Sequence, residues 1–342
     1  MLRESLETIL AGAELSREQA GALLAEMLDN GTSPELGSAL LVALRIRGES
    51  SAELCGFAEL MRERCTKVEV RPGPDLIDTS GTGGDGSGSF NISTATAFVA
   101  AGMGLRVAKH GNRSVSSRCG SADVLEELGV NVLLDSRGMA ECIEHCGVGF
   151  LYAPALHPAM ASLAPLRRAL GVRTCFNMLG PLSNPARAGR QLIGCYSEDC
   201  ALRIAGALSM LGGSRAFVVA GRDGLDEISL SAATLLIEVD GNDMRSRELQ
   251  PADFGLAGIE KRALLGGERS ENAEIIRRLL AGEAGPAREI VLANAAACAV
   301  LGGLCAGLPE GVAIAAEAID SGRAQAALQA LVNLSNSLEV AA

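Results

Sequence analysis

A glycine-rich segment, Ser80–Ser89, combines the residue types that best suit the binding of an anion. It follows the short apolar segment Leu76–Asp78, which predicts a strand, and it precedes a predicted helix over Asn91–Ala101. Glycine reaches positive φ values at no steric cost, so successive backbone N–H groups can surround a phosphate. The helix would add the positive end of its dipole. The pattern therefore predicts pyrophosphate binding, with a glycine-rich surface loop as the alternative.

This segment differs from the two most familiar nucleotide-binding motifs. It is not closed by the Gly-Lys-Ser/Thr sequence that a P-loop requires. It also does not match the G-x-G-x-x-G fingerprint that leads to an acidic strand end in dinucleotide-binding proteins.

A basic segment follows the next predicted strand, Leu105–Ala108. Within nine positions it supplies two cations, a histidine, an amide and three hydroxyls: Lys109, His110, Asn112, Arg113, Ser114, Ser116 and Ser117. Gly120 and Ser121 then begin another predicted helix. Because parallel strands place successive βα turns at one sheet edge, this turn should face the glycine-rich one. Two such turns indicate a ligand with more than one phosphate; a solvated basic loop is the alternative.

The elements that must position these turns change in type along the chain. Apolar residues at three- and four-residue spacing predict only helices over the first 70 residues: Glu4–Ala11, Ser16–Leu28, Pro34–Arg47 and Ser51–Arg64, with Ser16 and Ser51 as N-caps. Strands then alternate with helices, which predicts an α/β domain with a mostly parallel sheet. The predicted strands are Leu76–Asp78, Leu105–Ala108, Val130–Leu134, Val148–Tyr152, Gln191–Tyr196, Ala216–Ala220 and Thr234–Val239. His157–Leu170 and the tail from Asn272 are predicted to be helical.

Composition excludes several classes of protein. The net charge of −11 disfavours a general nucleic-acid binder, which needs a broad basic surface. The ten cysteines are irregularly spaced and form no C-x-x-C, so we expect no disulfide framework. Cys142, His145 and Cys146 are interpreted as part of a helix with buried thiols rather than as a metal site.

Two segments bear on location. Ile290–Pro309 carries no charge, but its alanine-rich composition is weakly hydrophobic and it contains Asn294, so we expect a buried core helix. The residues after Met1 show no signal-peptide pattern. We therefore expect a cytoplasmic protein without a membrane partner.

A series of motifs in this order resembles the anthranilate phosphoribosyltransferase family, over nearly the whole chain. The motifs are Gly81–Asp85, Phe90–Thr94, Lys109–Arg113, Gly120–Glu126, His157–Met160, Arg173–Pro185 and Asp223–Ile228. The resemblance implies transfer of the phosphoribosyl group of phosphoribosyl pyrophosphate (PRPP) to the amine of anthranilate. The products would be N-(5-phosphoribosyl)anthranilate and pyrophosphate, in tryptophan biosynthesis.

The resemblance also implies a fold similar to that of pyrimidine nucleoside phosphorylases. A small helical domain, residues 1–70, would be completed by a helical segment near 165–185. A larger α/β domain would span residues 75–342, with the active site between the two. The helical domain would carry a homodimer interface.

The resemblance assigns residues to both substrates. Those implied for PRPP are Gly81, Gly84, Asp85, Ser89, Asn91, Ser93, Thr94, Lys109, Asn112, Arg113, Ser117 and Ser121. Those implied for anthranilate are Gly81, His110, Asn112, Arg167 and Gly180. Ser89 stands where the family often has threonine, so the hydroxyl group is retained.

Ser93, Asp226 and Glu227 are implied as ligands of Mg²⁺, with two ions expected beside PRPP. Mg²⁺ prefers carboxylate and phosphate oxygens, although a solvated acidic turn is the alternative for the acidic pair. No single catalytic base is implied, because an aromatic amine is already neutral at pH 7. Lys109 and Arg113 are expected to stabilise the leaving pyrophosphate.

Some alternatives remain open from the residues themselves. Either Arg167 or Arg168 could hold a carboxylate through two parallel hydrogen bonds, or both could be surface charges; the resemblance selects Arg167. A pyrimidine nucleoside phosphorylase would have a Met-Ser-Gly-Arg-type run where this chain has His110–Arg113. Non-catalytic homologues that bind nucleic acid are basic, in contrast to this chain. The ordered phosphate motifs disfavour a purely structural helical protein.

Overall fold

The computed structural model describes residues 1–29, 32–71, 76–114, 118–212 and 215–338. The amino-terminal part of the chain is a bundle of four helices. The four helices are α1 (Leu2–Leu10), α2 (Arg17–Asp29), α3 (Pro34–Arg47) and α4 (Ser51–Arg64). Ser16 caps α2 as predicted, since its Oγ accepts a hydrogen bond from the Gln19 N–H at 3.2 Å. The predicted cap of α4, Ser51, is wrong by one residue: Ser50 and Glu53 form a reciprocal capping box.

The described ranges contain one sheet of seven strands in the order β3-β2-β1-β4-β5-β6-β7. The strands are β1 (Leu76–Asp78), β2 (Arg106–Gly111), β3 (Val148–Tyr152), β4 (Arg190–Gly194), β5 (Arg215–Gly221), β6 (Thr234–Asp240) and β7 (Asp243–Leu249). The first five pair in parallel, and β6 and β7 pair antiparallel. The strand order reverses at β1, between β2 and β4. Ligands of open α/β sheets bind at such a point, beyond the carboxyl ends of the strands.

Helices cover the sheet and complete the chain. They are α5 (Ile92–Gly102), α6 (Ser121–Glu127), α7 (Ser136–Cys146), α8 (Ala153–Leu156), α9 (Ala164–Leu170), α10 (Phe176–Leu182), α11 (Glu198–Leu211), α12 (Arg269–Leu280), α13 (Pro286–Gly302), α14 (Leu308–Asp320) and α15 (Arg323–Ser337). Short 3₁₀ helices span Pro158–Leu163, Pro251–Phe254 and Lys261–Leu264. The predicted helix His157–Leu170 is therefore split into a 3₁₀ helix and α9.

Two further predictions need correction. Val130–Leu134 is not a strand; it is an irregular segment whose valines are buried, while the N–H of Asn131 donates to Ser335 Oγ at 3.1 Å. Strand β7 was not predicted, because residues 243–248 are mostly charged and all exposed and lack the alternation of a half-buried strand. It lies at the sheet edge, where charged side chains are expected.

Two apolar clusters form the core. One lies between the sheet and α5, α7 and α13–α15. The other joins the first four helices to α9 and α10, and continues to α11 and the opposite face of β4–β6. It includes Leu41, Leu166, Leu179 and Val218. The helical segment near 165–185 therefore packs with the amino-terminal helices.

The uncharged segment from Ile290 forms most of α13, and its side chains from Ile290 to Ala299 are buried. Within the described ranges, no helix is both long and apolar enough to cross a membrane. Cys142 is buried and Cys146 half-buried on α7, as predicted.

Helices α2 and α4 approach so closely that one glycine is required at the contact. A Cβ added to Gly56 would lie 2.0 Å from the carbonyl oxygen of Arg17, whereas one added to Gly21 would meet Gly56 O at 3.4 Å. We expect Gly56→Ala to lower the free energy of unfolding by about 2 kcal/mol through overpacking. Gly21→Ala should raise it by up to about 1 kcal/mol through helix propensity. Urea unfolding of both variants tests this, and equal effects would contradict the predicted asymmetry.

Candidate active site

A buried carboxylate at the end of β1 joins the turns of the candidate site. Asp78 is fully buried and accepts hydrogen bonds from Ser80 Oγ at 2.7 Å, Asn184 Nδ2 at 2.7 Å and the N–H of His110 at 3.2 Å. It therefore fixes the start of the glycine-rich turn against the end of β2. Asp78 was not among the predicted site residues, although an acidic residue between a strand and a glycine-rich turn was an available signal.

The glycine-rich turn has the backbone conformation that its composition predicts. Four of its glycines have φ values between +63° and +77°: Gly83, Gly84, Gly86 and Gly88. Gly81 is needed for another reason, because an added Cβ would lie 2.7 Å from the carbonyl oxygen of Gly194 at the end of β4. The adjacent N–H of Thr82 donates to that same oxygen at 2.8 Å. The turn is thus attached to β4 as well as to β1.

The centre of this turn offers unused donors. In the described part of the chain, the N–H groups of Gly84 and Asp85 have no protein acceptor. The Asp85 carboxylate instead accepts from the N–H of Ser87 at 3.0 Å, and the hydroxyls of Ser87 and Ser89 lie 3.1 Å apart. Free amides next to positive-φ glycines are the groups that bind anions.

Helix α5 leaves the turn with polar residues at its start. The side chain of Asn91 makes no capping bond; it donates to Cys119 O at 3.2 Å and accepts from Asn272 Nδ2 at 3.0 Å. Thr94 is buried, and its hydroxyl has no partner among the described residues. Asn91, Ser93 and Thr94 therefore lie at one helix N-terminus, as the sequence predicted.

Lys109 lies on β2 and reaches the glycine-rich turn. Its ammonium donates to Thr79 O at 3.2 Å and to Ser93 Oγ at 3.1 Å, and the side chain is buried. Burial lowers the pKa of Lys109, while Asp78 and Glu227 oppose that shift. The two predicted turns do meet at one sheet edge, with this cation between them.

Asp226 and Glu227 lie in the loop after β5, close to Asp85. The N–H of Asp226 donates to the Asp85 carboxylate at 3.4 Å. Burial, and then the charge of Asp85, raise the pKa of Asp226 to about 7. Burial, and then Asp226, raise the pKa of Glu227 well above its usual value. Three carboxylates are thus held together against their mutual repulsion.

This acidic group fits a divalent cation, which would relieve the repulsion. The described ranges contain no ready-made cage of three His, Cys, Asp or Glu side chains. Mg²⁺ does not need one, because it binds through one or two carboxylates together with phosphates and water. The hydroxyl of Ser93 is held at the same end of the site by Lys109.

The described remainder of the basic turn forms its bonds within the protein. Arg113 binds Glu126 through both Nη atoms at 2.6 Å and lies 3.3 Å from Asp123, so its charge is already paired by carboxylates of α6. A phosphate contact would require an exchange of these partners. Ser121 Oγ donates to the carbonyl oxygen of Asn112 at 3.2 Å. Ser117 lies outside the described residues.

Two buried histidines lie on the predicted aromatic-acid side of the site. His110 Nδ1 lies 2.9 Å from Gly180 O, and its ring is 5.2 Å from the ring of His157. Among the described residues, His110 Nε2 and both His157 nitrogens have no partner. Burial lowers the pKa of both histidines, that of His157 to about 3. A Cβ built on Gly180 would meet open space.

Arg167 and Arg168 differ in their surroundings. The guanidinium of Arg167 lies 4.9 Å from the centre of the Phe176 ring, and burial lowers its pKa. Arg168 is exposed. His157 lies within one of the motifs but was not among the predicted site residues, because its contact with His110 depends on the tertiary fold.

Comparison with known proteins connects this geometry to a family. The helical bundle domain of the glycosyl transferase family matches residues 3–65, and its a/b domain matches residues 73–325. An anthranilate phosphoribosyltransferase from Pelotomaculum thermopropionicum is 49% identical, over 99% of this chain and 98% of the relative. The chain belongs to the anthranilate phosphoribosyltransferase family. That from Rubrobacter xylanophilus is 47% identical, over 99% and 98% of the two chains.

Solved structures of the family share the fold. The Thermus thermophilus enzyme has a TM-score of 0.90 at 42% identity, covering 97% of this chain and 99% of its own. The Saccharomyces cerevisiae enzyme, solved in complex with PRPP and Mg, has a TM-score of 0.90 at 29% identity, covering 98% of each chain. The family's helical and α/β fold, with a mostly parallel sheet, is therefore confirmed for this chain.

The buried histidines predict a loss of stability in acid. Because the pKa of His157 falls from an ordinary 6.5 to about 3 on folding, only the unfolded chain binds this proton between those values. Stability should therefore fall as pH decreases below about 6.5, by up to about 1.4 kcal/mol per pH unit. His157→Gln should show a shallower decrease in urea unfolding between pH 7 and 4, with exposed His145→Gln as the control. Parallel pH profiles of wild type and His157→Gln would contradict this.

Proposed function

We propose that this chain transfers the phosphoribosyl group of PRPP to the amine of anthranilate, releasing N-(5-phosphoribosyl)anthranilate and pyrophosphate, in tryptophan biosynthesis. The observation that carries the proposal is the pairing at one sheet edge of a turn with free amides and a buried lysine. A doubly phosphorylated sugar matches that pairing. The direct test is an assay with PRPP, Mg²⁺ and anthranilate that follows the loss of anthranilate fluorescence. Purified protein without turnover or PRPP binding would overturn it.

The pyrophosphate would lie against the amides of the glycine-rich turn and the start of α5. The groups we assign to PRPP as a whole are Gly81, Gly84, Asp85, Ser89, Asn91, Ser93, Thr94, Lys109, Asn112 and Ser121, of which Asn91, Ser93 and Thr94 would hold the pyrophosphate. Negative charge increases on this leaving group as the C1–O bond breaks, and fixed donors stabilise it there. Lys109 is already positioned for this by Thr79 and Ser93. Arg113 would join after exchanging Glu126 for phosphate.

Asp226 and Glu227, with Ser93, would hold Mg²⁺ at the same end, and we propose two ions. When bound, Mg²⁺ neutralises charge on the pyrophosphate and supports its departure. The chain's own contribution is to keep the carboxylates converged before the ion arrives.

Anthranilate would bind between α9, α10 and the end of β2. Arg167 would hold its carboxylate, while Gly81, His110, Asn112 and Gly180 would shape the surrounding site. The attacking nitrogen is neutral at pH 7, so its position matters more than removal of a proton. No residue is therefore proposed as a general base.

Two rival functions are less well supported. A pyrimidine nucleoside phosphorylase would be detected by phosphorolysis of thymidine. Binding of nucleic acid would be detected by a gel-shift assay at physiological salt, but the net charge of −11 opposes it.

We also propose a cytoplasmic homodimer formed through the helical domain, residues 1–70 with the segment near 165–185. Leu10 and Ile46 support this, since they are 65% and 81% exposed on α1 and α3. The ten cysteines are all unpaired, as in a reducing compartment.

Arg167→Ala should raise the KM for anthranilate by about tenfold or more and leave the KM for PRPP nearly unchanged. The reason is that a charge-assisted contact with the carboxylate of one substrate would be lost. Steady-state kinetics with each substrate varied measure this, with exposed Arg168→Ala as the matched control. Equal increases in both KM values would count against the assignment.

The Asp226→Asn, Glu227→Gln double variant should have two opposite effects. Without Mg²⁺ its unfolding temperature should rise, because relief from burying two carboxyl groups beside Asp85 outweighs the loss of Glu227 as a charged neighbour of Lys109. Its Mg²⁺-dependent affinity for PRPP should fall by about tenfold or more, since the cation loses charged ligands. Thermal unfolding and calorimetry measure the two effects, with exposed Asp243→Asn as the control. An unchanged Mg²⁺ titration would remove the pair from the metal site.

A further inference from the structure

Arg173 contacts the glycine-rich turn from outside the set of residues assigned to the substrates. Its Nη1 donates to the carbonyl oxygen of Gly84 at 2.8 Å. Its guanidinium also lies 4.2 Å from the centre of the Tyr196 ring, just beyond the end of β4. Its own carbonyl oxygen accepts a hydrogen bond from Arg45 of α3. One residue therefore connects the turn, the sheet and the amino-terminal helices.

The contact with Gly84 determines the direction of an amide. The Gly84–Asp85 peptide is trans, and in a trans peptide the C=O and N–H point in opposite directions. While Arg173 holds the Gly84 carbonyl, the N–H of Asp85 must point to the other side. In the described part of the chain, that N–H has no protein acceptor.

Gly84 would not keep this orientation without help. Its φ of +77° lies in a region that glycine occupies about as readily as its mirror image, so the peptide can rotate at low cost. A guanidinium is suited to fix it, because its planar group can stack on a ring and donate a directed hydrogen bond at the same time. Tyr196 restricts where the guanidinium can lie, and Arg45 restricts the backbone of Arg173.

We propose that Arg173 is a positioning residue for PRPP: it holds the Gly84 peptide so that the Asp85 N–H faces the pyrophosphate. It would act through the turn and not by touching the substrate. The inference rests on the proposed function, since it requires PRPP to bind at this turn. It also gives the Arg173–Thr174 motif a physical role.

The test is calorimetric titration of PRPP, with Mg²⁺, into the full-length chain, together with steady-state kinetics. Arg173→Gln should lower PRPP affinity by about tenfold and raise the KM for PRPP, with less than about a twofold change in the KM for anthranilate. Tyr196→Leu should produce part of the same loss, whereas Tyr196→Phe should behave as wild type because the ring remains. Arg173→Lys should also lose affinity, because an ammonium lacks the planar group.

Arg137→Gln provides the matched control, since Arg137 is 86% exposed on α7 and pairs only with Glu141 among the described residues. Full PRPP affinity in Arg173→Gln would overturn the inference. Wild-type affinity in Arg173→Lys and Tyr196→Leu would also overturn it, because charge alone would then suffice. So would equal increases in both KM values, which indicate a general structural defect. Failure of the wild-type chain to bind PRPP would instead refute the proposed function.

Discussion

The repulsion among Asp85, Asp226 and Glu227 is the interaction around which the rest of the site is built. Three carboxylates separate unless the backbone prevents it. Here a Cβ added to Gly194 would lie 1.7 Å from Asp226 O, so the acidic loop rests directly on β4. Asn294 of α13, fully buried, bonds both the N–H and the carbonyl oxygen of Ile228, at 3.1 and 3.2 Å. Under the proposed function, binding of Mg²⁺ would recover the free energy that this convergence costs on folding.

The opposite problem arises at Lys109, a buried cation. Asp78 and Glu227 lower the free-energy cost of burying the Lys109 ammonium. The pKa of Lys109 still falls, so the effect of burial outweighs the attraction to these two carboxylates. Such a group gains more from an arriving pyrophosphate than an exposed lysine would, because little water competes for it. The acidic and basic groups thus complement a ligand that carries both phosphate and metal. The strand order places them together, since the strand bearing Lys109 adjoins β1 and the glycine-rich turn follows β1.

How far the sequence could predict this depends on the range of each interaction. The helices, the parallel sheet and the positive-φ glycines follow from local pattern, and they were predicted. Val130–Leu134 was wrongly predicted to be a strand. Its two valines are buried in the core, and the N–H of Asn131 donates to Ser335 Oγ and not to a neighbouring strand. Asp78, Asn294 and Arg173 were assigned no role, because the partners that reveal one are distant in sequence. His110 and Asn184 lie 32 and 106 residues from Asp78, Ile228 lies 66 from Asn294, and Gly84 lies 89 from Arg173. The ion pair of Arg113 with Glu126 was not predicted either, because it requires α6 to fold back toward the basic turn.

The two ends of the proposed site differ in their electrostatics, which is consistent with the proposal that no residue acts as a general base. The phosphate end concentrates charge, whereas the other end presents the imidazoles of His110 and His157, whose pKa values burial lowers. Among the residues that the structure describes, His110 Nε2 and both nitrogens of His157 have no partner. A flat, neutral amine is compatible with such surroundings. Under the proposed function only its carboxylate would need a cation, which Arg167 beside Phe176 would supply. A carboxylate acting as a base here would lose its hydration at a cost in free energy, and the cations of the basic turn would attract it. Under the proposed function, this end would therefore orient the amine, while the phosphate end would stabilise the charge that develops in the reaction.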